Sequence, residues 1–190
     1  MRKLIVSMNV TLDGFMAGPN CELDWHFQSW TTEMADSLYQ QLSKADTILL
    51  GRITYKAMAR YWPQQAKDLS FPREDIAFAD LMNNYTKLVF SKTLITPEWN
   101  NSRIIKDNPV HEITKLKKCS GKDMIIYGSG KIVECLTNSG LVDEYQLWVH
   151  PVLLGKGKPL FRNLPERLSM KLFKTKSFSS GVIILYYGAN

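Results

Sequence analysis

The chain has 190 residues, 45% hydrophobic and 22% charged, enough for one domain with its own core and too little for two of ordinary size, so residues 1–190 are read as a single domain. Eight Tyr, eight Phe, five Trp and eight Met exclude an intrinsically disordered chain, and no apolar run reaches the length of a membrane span. The formal charge of +6 is spread along the chain, which suits an anionic small molecule better than a nucleic acid.

Residues 3–10 alternate, with Leu4, Val6, Met8 and Val10 on one side, and predict a first strand. Thr11-Leu12-Asp13-Gly14 ends it, and Ala17-Gly18-Pro19-Asn20 continues a loop of turn residues. Thr31 or Thr32 caps a helix whose face carries Ala35, Leu38 and Leu42, with Glu33 in its first turn. Residues 47–50 form a buried strand, and residues 54–61 a helix after it. Residues 63–72 read as a surface loop, and Ile76, Ala79, Leu81 and Met82 as the apolar face of another short helix. Residues 87–90 and 102–106 are strands, followed by a short helix over 110–118. The densest basic cluster, Lys115 to Lys122, then reads as a solvated helix end.

Residues 124–127 form a strand, and residues 132–136 a helix closed at Gly140. From there the pattern changes. Residues 144–149 are a strand, 151–159 a loop, and 168–178 and 182–187 two strands about a Ser179-Ser180-Gly181 turn. Strands alternating with helices, then a strand-rich tail, predict an α/β fold. Its central sheet is mixed but mostly parallel and flanked by helices, with antiparallel C-terminal strands.

Three strands end in residues suited to phosphate: Leu49-Leu50-Gly51-Arg52-Ile53-Thr54, Val89-Phe90-Ser91-Lys92 and Tyr127-Gly128-Ser129-Gly130-Lys131. In open α/β sheets ligands sit beyond the carboxyl ends of the strands, so the three can converge on one ligand. Arg52 offers a planar fork, Thr54 and Ser91 hydroxyls, and Lys92 a point charge. The turn from Gly128 to Gly130, with Lys131 beside it, offers backbone N–H groups at a helix start with no side chain in the way. A ligand with a monophosphate and a pyrophosphate, such as NADPH, uses the whole set. The match to a triphosphate-binding loop fails, because Gly130-Lys131 is followed by Ile132 rather than Ser or Thr. A dinucleotide G-x-G-x-x-G fails at Val133.

Cys21, Cys119 and Cys135 have no metal-ligand spacing and read as free thiols of a reducing cytoplasm. His26, His111 and His150 show no metal pairing either, so no metal is expected, and His150 before Pro151 reads as a structural strand-end residue. Asp13 is either a carboxylate beside the substrate or the closure of an Asp-Gly turn. Trp25, Trp30 and Trp62 either line an aromatic pocket or pack in the core.

These motifs, in order, resemble the dihydrofolate reductase-like fold, in the branch of the RibD C-terminal domain family, the reductase domain of bacterial bifunctional riboflavin-biosynthesis deaminase–reductases. Residues 10–18, Val-Thr-Leu-Asp-Gly-Phe-Met-Ala-Gly, are similar to the branch's opening element, and Leu49 to Tyr55 to its L-G-R-x-T-Y element. Ile126 to Gly130 resembles its glycine turn, and Gly140 to Tyr145 with His150 to Phe161 its tail signature.

The resemblance implies a cytoplasmic, homodimeric, NADPH-dependent reductase acting on a small molecule, without nucleic acid or membrane as partner. It assigns the adenosine 2′-phosphate to Gly51, Arg52 and Thr54, the ribose side to Ser91 and Lys92, and the pyrophosphate to Gly128, Ser129, Gly130 and Lys131. It puts the first loop over the nicotinamide, so Asp13 is expected as the catalytic carboxylate and, with Gly14, at the substrate. Trp25 matches a tryptophan of the same loop and is likewise expected at the substrate.

Three positions depart from the relatives. Trp30 stands where dihydrofolate reductases carry a carboxylate. Thr54-Tyr55-Lys56 replaces the Asp-Asp-Pro element of the riboflavin-type reductases, and Tyr127 replaces their glutamate. Trp30, Tyr55 and Tyr127 are therefore expected at the substrate. The implied substrate is a small heterocycle or a ribosylated aminopyrimidine of the 5-amino-6-(5-phosphoribosylamino)uracil type. A dihydrofolate- or pterin-type reductase and a nucleotide-binding module without turnover are the alternatives.

Overall fold

The structure is a computed structural model and describes residues 1–65 and 73–189. Strand β1 (Leu4–Thr11) leads through a three-residue strand β2 (Phe15–Ala17) and a one-turn helix α1 (Asp24–Phe27) to α2 (Thr32–Leu42). Then follow β3 (Ala45–Gly51), α3 (Arg52–Gln65), α4 (Arg73–Asn84), β4 (Thr86–Phe90), β5 (Ser102–Ile105), α5 (Pro109–Lys117), β6 (Asp123–Ile126) and α6 (Gly130–Asn138). The tail is β7 (Glu144–His150), a two-residue β8 (Lys158–Pro159), β9 (Met170–Ser177) and β10 (Ile183–Ala189).

Eight strands make one sheet in the order β5-β4-β3-β6-β1-β7-β10-β9. The six from β5 to β7 run parallel, and β10 and β9 are antiparallel. The carboxyl ends of β1, β3, β4, β5, β6 and β7 therefore share one edge, which is where the phosphate-suited motifs lie.

Period-two alternation divides the core. Leu4, Val6, Met8 and Val10 face one way and pack with Ile113, Ile132, Val133 and Leu136 of α5 and α6. Ile5 faces the other way, with Ile48, Leu50, Val89 and Ile125, against Leu42, Tyr55, Phe78 and Met82 of α2, α3 and α4. Burying each such side chain stabilises by about 1.5–3 kcal/mol, which explains why the central strands are apolar on both faces. A smaller cluster under β7 and β10 joins Met34, Trp148, Phe178, Val182 and Ile184.

Local signals account for most boundaries. Thr31 is the N-cap of α2 and its hydroxyl oxygen accepts from Met34 N–H at 3.3 Å. Gly140, at φ 63, ends α6, and the N–H of Leu141 returns to the carbonyl of Leu136 at 3.1 Å. Other boundaries depart from the sequence expectation. Helix α3 starts at Arg52, before Thr54, and continues through Pro63 to Gln65, so residues 63–65 are helical rather than loop; the rest of the expected loop lies outside the described residues. The expected loop over 151–159 contains β8, which pairs with β2. Lys117 leaves the solvated basic cluster: it is buried, and its Nζ donates to the carbonyl of Leu141 at 2.9 Å and to Asp143.

Lys87 is fully buried at the foot of β4. Its Nζ donates to the carbonyls of Met82 and Asn83 at 2.9 and 2.7 Å, capping α4, and sits 4.4 Å from the ring centre of Trp99. Burial pulls its pKa down to about 8.

Candidate active site

The turns after β3 and β6 are docked on each other. Gly51 N–H donates to the carbonyl of Gly128 at 2.9 Å. A Cβ on Gly51 would lie 2.5 Å from Ser129 Oγ, and one on Gly128, at φ 133, 2.8 Å from Thr54 Oγ1. A Cβ on Gly130 would lie 2.5 Å from Met16 Cε. Glycine is needed here because two turns and the β2 methionine occupy the space a side chain would take. The peptide between Gly128 and Ser129 is cis.

Helices α3 and α6 both begin at this junction, so their unsatisfied N–H groups and positive dipole ends face one edge of the sheet. Ser129 is the N-cap of α6, and its side chain makes no capping bond. Arg52, Lys92 and Lys131 are exposed, and none forms an ion pair among the described residues. Ser91 Oγ accepts from the N–H groups of Thr93 and Leu94 at 3.2 and 3.0 Å, which fixes the turn after β4. The structure thus brings Gly51, Arg52, Thr54, Gly128, Ser129, Gly130 and Lys131 together, with Ser91 and Lys92 one strand away along the same edge.

The substrate-side expectations fare differently. Asp13 is bound up in the fold: it accepts from the hydroxyl of Thr11 and from the N–H groups of Leu154 and Gly155, the last at 2.7 Å. The Thr11 bond, with those backbone bonds behind it, holds its pKa below the ordinary carboxylate value. It ties the β1 turn to the β7–β8 loop. Gly14, at φ 84, has open space around the position of a Cβ and accepts from Leu160 N–H at 3.1 Å.

Tyr55 is 1% exposed in the core and its hydroxyl oxygen accepts from Trp99 N–H at 2.8 Å, so it lines no pocket. The expectation that it meets substrate is corrected: with α3 starting at Arg52, Tyr55 falls on the inward face. Trp30 packs against the small cluster under β7 and β10 rather than on the glycine edge. Tyr127 packs against the cluster that includes Tyr55 and Ile125, with its hydroxyl buried and without a partner among the described residues. Burial pushes that phenol well up.

Trp25 is buried on α1, edge-on to His150 with ring centres 5.2 Å apart. Asn9, the partner of His150, is a member of this edge that no sequence motif contains; Met16 and His150 lie within the motifs but are not site residues on the sequence reading. The sequence already put His150 at a strand end; its place opposite Thr11 of β1 is visible only once β1 and β7 are paired in register.

Comparison with known proteins agrees with this architecture. The model of the RibD C-terminal domain matches residues 2–184. The protein YyaP of Bacillus subtilis (strain 168), described as uncharacterized, is 38% identical over 189 residues, covering 100% of this chain and 96% of YyaP. A putative riboflavin biosynthesis protein from Shewanella sp. PV-4 superposes with a TM-score of 0.78 at 22% identity, covering 99% of both chains. Dihydrofolate reductase from Enterococcus faecalis, solved with NADP(H) and RAB-propyl, superposes with a TM-score of 0.63 at 14% identity over 99% of this chain and 96% of that one. The fold is dihydrofolate reductase-like, and the chain belongs to the RibD C-terminal domain family.

Proposed function

We propose that the protein is an NADPH-dependent reductase of a small heterocycle or a ribosylated aminopyrimidine. The observation that carries this is the convergence on one sheet edge of three exposed cations without an ion pair among the described residues, two helix N-termini and a glycine turn that two neighbouring segments pack against. These groups fit a ligand with two separated anionic parts: Arg52 and Thr54 would hold the 2′-phosphate, and Gly128 to Lys131 the pyrophosphate. When bound, the nicotinamide supplies the hydride. The protein would bind and orient it, with Met16 packed over Gly130 beside the turn assigned to the pyrophosphate. Asp13, ionised and held by its three donor groups, keeps the loop over the site in place.

The test is a titration of NADPH and NADH against the protein and its Arg52→Ala variant. Loss of a charge-assisted phosphate contact, about 1.5–3 kcal/mol, weakens NADPH roughly 10- to 100-fold and leaves NADH nearly unchanged. No NADPH binding at high micromolar concentration would sink the proposal. The bonding of Asp13 and the place of Trp30 also favour a second reading, a nucleotide-binding module without turnover. NADPH oxidation with a panel of aminopyrimidines and pterins decides between the two.

A homodimer is supported by the sheet edge: β9 is the last strand, and it exposes Leu172 and Phe173 at 46% and 54%. Light scattering after size exclusion measures the mass. No helix among the described residues is long and apolar enough to cross a membrane.

A further inference from the structure

The pairing of β2 with β8 brings a thiol and an amine together. Lys158 of β8 is registered with Ala17 of β2, and its Nζ donates to Cys21 Sγ at 2.5 Å, across 137 positions of sequence. Both residues are half-buried. Cys21 sits at φ 71 in a turn closed twice by backbone. Its N–H donates to the carbonyl of Gly18 at 3.1 Å, and the N–H of Gly18 donates to the carbonyl of Glu22 at 3.0 Å. The Glu22 carboxylate accepts from the backbone N–H and the side-chain amide of Asn20 at 2.8 and 2.9 Å. On the other side β8 lies close against β2, since a Cβ on Gly157 would stand 2.4 Å from the carbonyl oxygen of Ala17. Sulfur and nitrogen are therefore carried on two well-held pieces of backbone and face each other.

Neither of the other thiols has an amine partner among the described residues. Cys119 is exposed, and its Sγ donates to the carbonyl of Lys115 at 3.5 Å. Cys135 lies on α6, where burial first and then Glu134 push its thiol pKa up. Lys158 for its part forms no ion pair among the described residues, so no carboxylate draws its amine away from Cys21.

We propose that Cys21 and Lys158 form a redox clasp: hydrogen peroxide joins them through one oxygen atom, as Sγ–O–Nζ. A first peroxide turns the thiol into a sulfenic acid; its O–O bond breaks, an S–O bond forms and one water leaves. The amine reacts after its ammonium proton has passed to solvent. A second peroxide takes two electrons from it as the N–O bond to the sulfenic oxygen forms. One N–H proton and the S–O–H proton leave with the two peroxide oxygens as water. Sulfur and nitrogen each lose two electrons, and the two peroxides take up the four. An amine held against the sulfur acts at a far higher effective concentration than a reagent in solution, so it intercepts the sulfenic acid before further oxidation. The two atoms already stand about as far apart as one bridging oxygen spans, whereas a direct S–N bond needs a closer approach. The clasp ties the run from β2 into α1 onto β8, beside the loop that Asp13 holds, and a thiol reductant opens it again by attack on sulfur. It does not depend on which ligand the sheet edge binds.

The test treats the protein with hydrogen peroxide, digests it with trypsin without reductant and reads the peptides by mass spectrometry. Residues 4–44 and 157–162 are expected as one joined peptide, with one oxygen gained and two hydrogens lost, from a chain still monomeric on a denaturing gel. Fragmentation places that oxygen between Cys21 and Lys158 and separates it from methionine sulfoxide. Dithiothreitol restores the two separate peptides. Joining residues so far apart in sequence also raises the melting temperature by several degrees over Lys158→Arg oxidised alike, and the reductant removes the gain. Lys158→Arg keeps the charge and Cys21→Ser the size; each is expected to lose the joined peptide. The wild-type junction decides on its own if either variant fails to fold. No joined peptide at a dose that oxidises the exposed Cys119, a joined peptide that survives Lys158→Arg, or a junction without the oxygen overturns the clasp.

Discussion

The two halves of the ligand edge are built on opposite principles. Around β3, β4 and β6 the edge is open and cationic: Arg52, Lys92 and Lys131 are exposed and form no ion pair among the described residues. Around β1 and β7 it is closed and neutral: His150 and Trp25 are buried, and Asp13 is consumed by the loop. Charge left exposed and unpaired attracts an anion from a distance. A buried polar group away from water interacts only with what packs directly against it. On the proposed reading the first half is the cofactor's, and the second is the wall beside the substrate.

The strongest test of this division is Gly128→Ala. A side chain at φ 133 with its Cβ 2.8 Å from Thr54 Oγ1 costs about 1–3 kcal/mol in backbone strain alone and pushes the two docked turns apart. NADPH binding should be lost in calorimetry while the Trp25 indole resonance stays in place; a shift of that resonance would show that the halves are one unit. Salt comes next. Between about 0.1 and 1 M the screening length falls from about 10 to 3 Å, so NADPH affinity should drop several-fold and the Trp25 indole resonance should stay in place.

A third test uses pH. Burial lowers the pKa of His150 to about 4 and that of His26 as well, so between the unfolded value of about 6.5 and about 4 the unfolded chain binds more protons. Stability is then full above that window and declines as pH falls through it. His150→Leu should flatten the melting temperature over the same range, and an unchanged slope would remove His150 from the closed half. The smallest effect is expected from Asp13→Asn. The lowered pKa of Asp13 means that its contribution is present above the unfolded carboxylate value and lost on acidification. Variant and wild type should therefore differ slightly in melting temperature at neutral pH and converge in acid, with little change in NADPH binding.

The open half was legible because each part is local: a strand, a glycine and a basic or hydroxyl residue within a few positions, repeated three times. The parallel sheet then does the assembling. The closed half was not, because its bonds join residues far apart in sequence, as in Asn9 with His150 at a separation of 141. Tyr55 misled for a different reason. Two residues of error in the start of α3 turn it from the rim into the core. Strands β2 and β8, of three and two residues, are too short to show a period. Trp30 carries no local mark that separates a pocket wall from the cluster it joins.

Lys87 has a use beyond capping α4. Its amine, with a pKa near 8, is uncharged for much of the time in mildly alkaline solution and intrinsically ready to acylate, yet no surface of it meets solvent. An amine reagent reaches it only when β4 and α4 part. The rate at which Lys87 is labelled, followed by mass spectrometry beside the exposed lysines, therefore reports how often the centre of the molecule opens.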